Sequence, residues 1–144
     1  LNFGELLSSM PETETAEKEL QAFNDELVAK GTEMEEKLNV ELEAYLKARD
    51  SGTESPIQLA AREEKLQQGR NELASFQQKA QTDLNNKRQE LLGPVIEKAT
   101  EAIEAVAKEG SYLLIFDTSV FNAVLFADES IDVMDKVKAK LGLQ

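Results

Sequence analysis

The seven residues LLIFDTS at 113–119 carry the most suggestive chemistry in the chain. An Asp-Thr-Ser turn after an apolar run is a feature of aspartic peptidases. Those enzymes need two Asp carboxylates that share one proton, so a single copy would demand a homodimer. They also need a largely β domain and a second apolar element containing Gly, and AVLFAD at 123–128 has none. The stronger reading is a turn that ends a strand, with Asp117, Thr118 and Ser119 bonding to the local backbone. Two acidic pairs, Glu33/Glu36 and Glu101/Glu104, share helix faces and suggest a di-metal carboxylate bundle. Such bundles add a His three residues along a Glu-bearing helix, and this chain has no His. Solvated helix faces explain the pairs more simply. Without His, Cys or a Gly-rich phosphate loop, the sequence is read as a non-enzyme with no cofactor and no metal site.

Composition points the same way. The chain has 144 residues, which suits one domain. Charged residues make up 31% and aromatic ones 6%, a balance that favours elongated helices burying a thin stripe. Residues 1–55 hold 14 acidic against 5 basic side chains, 56–92 hold 5 against 6, and 93–144 hold 9 against 5. With a net charge of -12 and no cluster of Lys and Arg, nucleic acid is not an expected partner. No run of ~18 apolar residues exists, so stable membrane insertion is not expected. The opening LNFGELL, without Met, suggests a processed or trimmed start.

The elements that position these residues are mostly helical. Over 11–49, Ala16, Leu20, Phe23, Leu27, Met34, Leu38, Leu42 and Tyr45 form one apolar stripe. Gly31 interrupts it and shifts the seven-residue row from 16-23-30 to 31-38-45, which predicts a local change of supercoil. The loop DSGTESP at 50–56 ends this helix, with Gly52 just past its C-terminus. Ser55, Pro56 and Gln58 signal a new start through a cap and its capping-box partner. Leu59, Leu66, Leu73 and Ala80 then recur at seven-residue spacing, with Phe76 and Leu84 in the alternate row. The two helices predict an antiparallel hairpin, whose arms of about 35 residues would reach roughly 50 Å. Gly93-Pro94 predicts a kink or break. A third amphipathic segment follows, with Ile96, Ala99, Ile103 and Val106 on one face, ending at Gly110.

The last third predicts a small apolar body. YLLIF at 112–116 reads as a buried strand and AVLFA at 123–127 as its return. Asp132 is placed to cap a final helix. Two strands alone are only marginally stable, so further strands must come from upstream or from partner chains. The predicted fold class is therefore α+β: a small β-body completed by oligomerisation, bearing a long antiparallel helical hairpin. Residues 1–10 and 93–144 would form the body and 11–92 the arm, with the loop at 50–56, in a single domain spanning 1–144.

The stretches LNFGELLSSMPE, LLGPVIEKATEAIEAVAKEGSYLLIFDTS and VLFADESIDVMDKV resemble the Skp/OmpH family of periplasmic chaperones for outer-membrane proteins. The resemblance covers essentially the whole chain, the arms matching in pattern alone. It implies a homotrimer whose pooled strands make a barrel-like body, with helical tentacles around a cavity. The family's first strand would end at Leu1–Phe3. The best-known members are basic and bind lipopolysaccharide, but the sequence pI near 4.5 makes lipopolysaccharide an unlikely partner here.

The function this implies is an ATP-independent holdase, located in the periplasm, that cages unfolded outer-membrane proteins. A structural coiled-coil adaptor binding a folded partner is the alternative, and an aggregation assay separates the two. Tyr112, Leu113, Leu114, Ile115, Phe116, Val124, Leu125 and Phe126 are assigned to the oligomer body. Val28, Val40 and Leu46, off the main seam, are candidates to face a client. Leu20, Leu27, Leu66 and Leu73 are assigned to the seam between the arms.

Overall fold

Each helix begins and ends where local chemistry permits. The computed structural model describes residues 1–121, 124, 126, 128 and 131–143. It contains α1 (Phe3–Ser8), α2 (Pro11–Ser51), α3 (Pro56–Glu109) and α4 (Met134–Lys140). Asn2 caps α1 by accepting from the Glu5 amide at 3.0 Å. Pro11 opens α2, where a missing N–H costs nothing. Gly52 follows α2 with φ 63, a left-handed value that glycine adopts without penalty. At the start of α3 the Gln58 amide donates to Ser55 Oγ at 3.4 Å. The Ser55 amide donates to Gln58 Oε1 at 2.8 Å, which closes the capping box. The Asp132 carboxylate accepts the Met134 amide at 2.9 Å ahead of α4.

The expected α+β class is overturned: the described residues form helices and no strand, so the fold is all-α. The backbone of 112–116 is instead committed to single bonds from other elements. The Tyr112 amide donates to Ala107 O at 2.9 Å, closing the end of α3 around Ser111, which takes the left-handed φ of 54. Phe116 O accepts from Leu1 N at 3.4 Å, and the Thr118 amide donates to Leu1 O at 2.9 Å. A strand needs a neighbour along its length at ~4.8 Å, and these isolated bonds supply none. The upstream segment is not a strand end either, since Phe3 already lies in α1. Of the expected return strand, Val124 and Phe126 are in no regular element. Ala123, Leu125 and Ala127 lie outside the described residues.

Gly93-Pro94 does not end a helix. Pro94 sits inside α3, which runs through to Glu109 and absorbs the third amphipathic segment. An interior Pro costs about 3 kcal/mol. Val95, Ala99, Ala102 and Val106, all within about three turns after it, are buried. Each such burial contributes on the order of 1 kcal/mol, enough together to offset the proline.

The chain divides into two compact units. The first comprises Leu1–Leu20 and Lys87–Gln144. Its core gathers Leu1, Leu6 and Met10, the α3 residues Val95, Ala99, Ala102 and Val106, and Val133, Met134 and Val137 around α4. Seven of these ten residues lie in helices, and Leu1, Met10 and Val133 flank them, in place of the strand hairpin expected at the centre. Thr13 is buried beside it and donates through Oγ1 to Leu7 O at 2.6 Å.

The second unit, Gln21–Asn86, is an antiparallel helix pair. Its inward row on α2 passes through Phe23, Leu27, Gly31, Met34 and Leu38, with Lys30 outside it. On α3 it passes through Leu59, Leu66, Gly69, Leu73 and Phe76. Gly31 faces Phe76 and Gly69 faces Leu38, so the partners' numbers sum to 107 in both pairs. The ion pair Lys65–Glu41 and the hydrogen bond from Tyr45 to Glu63 keep that register within one residue.

Candidate functional site

Asp117, the one residue with the look of a catalytic carboxylate, is fully engaged in structure. Its Oδ1 accepts the Ser119 amide at 2.8 Å and the Phe3 amide at 3.0 Å, and Oδ2 accepts the Ser119 hydroxyl at 2.8 Å. The first two donors and then the hydroxyl hold its carboxyl below the usual carboxylate range. Of the strand-ending turn expected of Asp117, Thr118 and Ser119, the Asp117–Ser119 bonds are present, but no strand precedes them and the Thr118 amide donates to Leu1 O instead of locally. What the sequence did not show is that the same carboxylate ties down the first turn of α1. Glu33 and Glu104 are engaged with Lys37 and Lys108, each one helical turn away.

Binding surface is a different matter. Leu113 is 97% exposed, Phe121 91% and Phe126 86%, and Leu114, Phe116, Val120 and Ile131 are also exposed. Of the residues assigned to the oligomer body, Ile115 is half-buried and packs on the core of the first unit. Tyr112 is held by Lys136, whose ammonium sits 5.3 Å from the ring centre and donates to the phenol oxygen at 2.8 Å. Its ring covers Gly110, where an added Cβ would come within 2.2 Å of it. Val124 is half-buried, and Leu125 lies outside the described residues. Leu114, Ile115, Phe116, Val124 and Phe126 line one open hollow with Leu1 and Val133.

In the helix pair, the three candidate client-facing residues fall at separate places. Val28 is 59% exposed beside Gly31, and Val40 is 66% exposed beside Gly69. Leu46 belongs to neither place and stands nearer the turn. At each glycine the opposite side chain approaches closely, Phe76 to 3.5 Å and Leu38 to 3.0 Å from where a Cβ would stand, and a groove runs beside each contact. The groove at Gly31 measures about 310 Å³ and the one at Gly69 about 710 Å³. The turn itself is stapled: Arg62 donates to both oxygens of Glu54 at 2.7–3.0 Å, and this guanidinium lowers the Glu54 pKa. Tyr45 donates to Glu63, and this hydrogen bond raises the phenol pKa.

The close approaches at Gly31 and Gly69 have a signal in the sequence. An antiparallel pair folded about the middle of the 50–56 loop sets residue 31 opposite 76 and 38 opposite 69. The family described as "Outer membrane protein (OmpH-like)" matches residues 1–141 of the chain. No curated protein matches it.

Proposed function

The chain belongs to the OmpH-like outer membrane protein family, and from that premise we propose that it is an ATP-independent periplasmic holdase that works as a homotrimer and shields unfolded outer-membrane proteins. Membership supports the broad reading, a chaperone of outer-membrane proteins rather than an enzyme. The observation that carries the finer one is the amount of large apolar side chain left in water. Monomers rarely expose an apolar patch beyond a few hundred Å², and residues 113–131 put Leu113, Phe121 and Phe126 almost wholly outside. In this reading that segment is covered by further copies of the chain, while the helix pair is the working surface.

An outer-membrane protein awaiting insertion displays strands that are apolar on alternate residues and pair edge to edge when unprotected. Dispersed contacts such as Val28 and Val40 hold such a chain weakly, and mass action alone then lowers the concentration free to aggregate. That needs no nucleotide. The net charge of -12 favours neutral or basic client segments and disfavours lipopolysaccharide, a polyanion.

The test dilutes an unfolded β-barrel protein from urea with and without stoichiometric protein and follows turbidity. Suppression across several clients is expected, and unchanged turbidity rejects the holdase. For the assembly, Phe116→Asp puts a charge on an already exposed position and should give a folded monomer by light scattering. A variant that stays the same size as the parent would remove this segment from the interface.

A further inference from the structure

The two grooves of the helix pair differ in electrostatics, and the difference selects a ligand. The groove at Gly69 has Met34, Leu38 and Val40 as its apolar lining. A Cβ there would stand 3.0 Å from Leu38 Cδ1, closer than side chains pack comfortably. The rim carries both signs, but the cations are already used: Lys37 pairs with Glu33 and Lys65 with Glu41. Glu36 and Glu72 on the same rim have no ion pair among the described residues. The smaller groove at Gly31 has a rim of Asn, Thr and Gln side chains with the single carboxylate Glu35. Both grooves offer a valine, and the larger one alone adds two uncompensated charges beside it.

We infer that the groove at Gly69 seats an apolar side chain flanked by Lys or Arg in an unfolded client segment, an assignment that rests on the holdase reading and sharpens it. The apolar side chain lies against Val40 and Met34, part of the apolar lining of the groove. The flanking cations reach Glu36 and Glu72, one on each helix. Because the carboxylates are on the surface, the attraction is modest and weakens steadily as salt rises, the Debye length falling from ~30 Å at ~0.01 M to ~10 Å at ~0.1 M. Such a site prefers basic-flanked segments without demanding a sequence, as suits a binder of many chains.

The probe is a short fluorescein-labelled peptide with Leu flanked by Lys, compared with peptides of equal apolar content flanked by Ser or by Glu. On the full-length protein, fluorescence anisotropy at low salt should rank Lys above Ser above Glu. Glu36→Gln with Glu72→Gln should weaken the Lys-flanked peptide about fivefold, the scale of two exposed ion pairs, and leave the Ser-flanked one unchanged. Val40→Gln should weaken both peptides, and Val28→Gln neither. Circular dichroism checks that each variant keeps its helices. Equal binding of the Lys-flanked peptide to the parent and the double variant, or no binding to the parent, overturns the assignment. The turbidity assay separates this from the broader proposal. Suppression by the parent with no rim effect on the peptide refutes the groove alone. Rim-dependent binding of the peptide without suppression refutes the holdase alone.

Discussion

The two units bury their apolar residues in different ways. In the first, ten residues from three helices and their flanks form a closed core, and Leu6 and Val137 have no exposed surface. In the second, Leu66 is the one buried apolar residue among the described residues, and the rest of the seam is half-buried. A closed core makes each side chain's loss felt by many neighbours. A two-helix seam spreads the same chemistry along a line, where each residue touches its partner and water. The first unit therefore suits a rigid base, and the second suits reversible contact with another chain.

The contrast breaks most directly under truncation. Leu6→Ala should cost about 2–5 kcal/mol through lost burial and a cavity. Leu73→Ala in the half-buried seam should cost roughly 1–2 kcal/mol, since water already reaches it. Urea denaturation followed by circular dichroism measures both, and equal costs would erase the distinction between units.

Next in size is Gly110→Ala in the first unit. The new methyl would push the Tyr112 ring off its place and break the hydrogen bond from Lys136. Displacing a packed group of this kind costs about 1–3 kcal/mol. Tyr112→Ala in the same chain should restore much of the loss, because the clash is with that ring. A double variant as unstable as the single one would mean that the backbone, not the ring, demands glycine.

The second unit should respond with the opposite sign. A glycine inside a helix is worse than alanine by roughly 0.5–1 kcal/mol. At Gly31 the added Cβ meets Phe76 at 3.5 Å, an ordinary contact, so Gly31→Ala should stabilise by most of that. At Gly69 the approach to Leu38 is 3.0 Å, and Gly69→Ala should gain less. Thermal melts of the two variants rank them, and the reverse order would contradict the packing described.

The smallest effect concerns acid. Asp117 has a folded-state pKa below its unfolded value, so its contribution is present above the ordinary carboxylate pKa of ~3.9 and is lost as pH falls through the depressed one. An NMR titration of the Asp117 carboxyl should therefore give a midpoint below ~3.9. A midpoint at or above that value would show that the amides of Phe3 and Ser119 do not hold the carboxylate.

Much of the molecule was legible before any coordinates. Gly52, Ser55, Pro56 and Gln58 mark the helix ends correctly because caps and turns are settled by bonds that span two to five residues. The stripe over residues 16–45 and the heptads from Leu59 place the seam, since helical spacing dictates which side chains share a face. The charge of -12 and the absence of His are properties of sequence outright.

The tertiary structure decided the rest. The run YLLIF reads as a strand because an apolar run alone cannot distinguish a strand from a segment docked otherwise. Whether it pairs depends on a neighbour, and Leu1 supplies isolated bonds instead of a ladder. Gly93-Pro94 reads as a kink or break because its local cost is real, but the buried residues at 95, 99, 102 and 106 offset it from outside the dipeptide. Helix α3 ends at Gly110 as the sequence indicates, but Ser111 is the residue that takes the left-handed turn, and Gly110 yields space to a ring. The partners of Gly31 and Gly69 lie on the other helix, so these close approaches exist only once the two helices meet. Bonds between near neighbours in the chain can be read from their order, whereas packing between distant ones needs the fold.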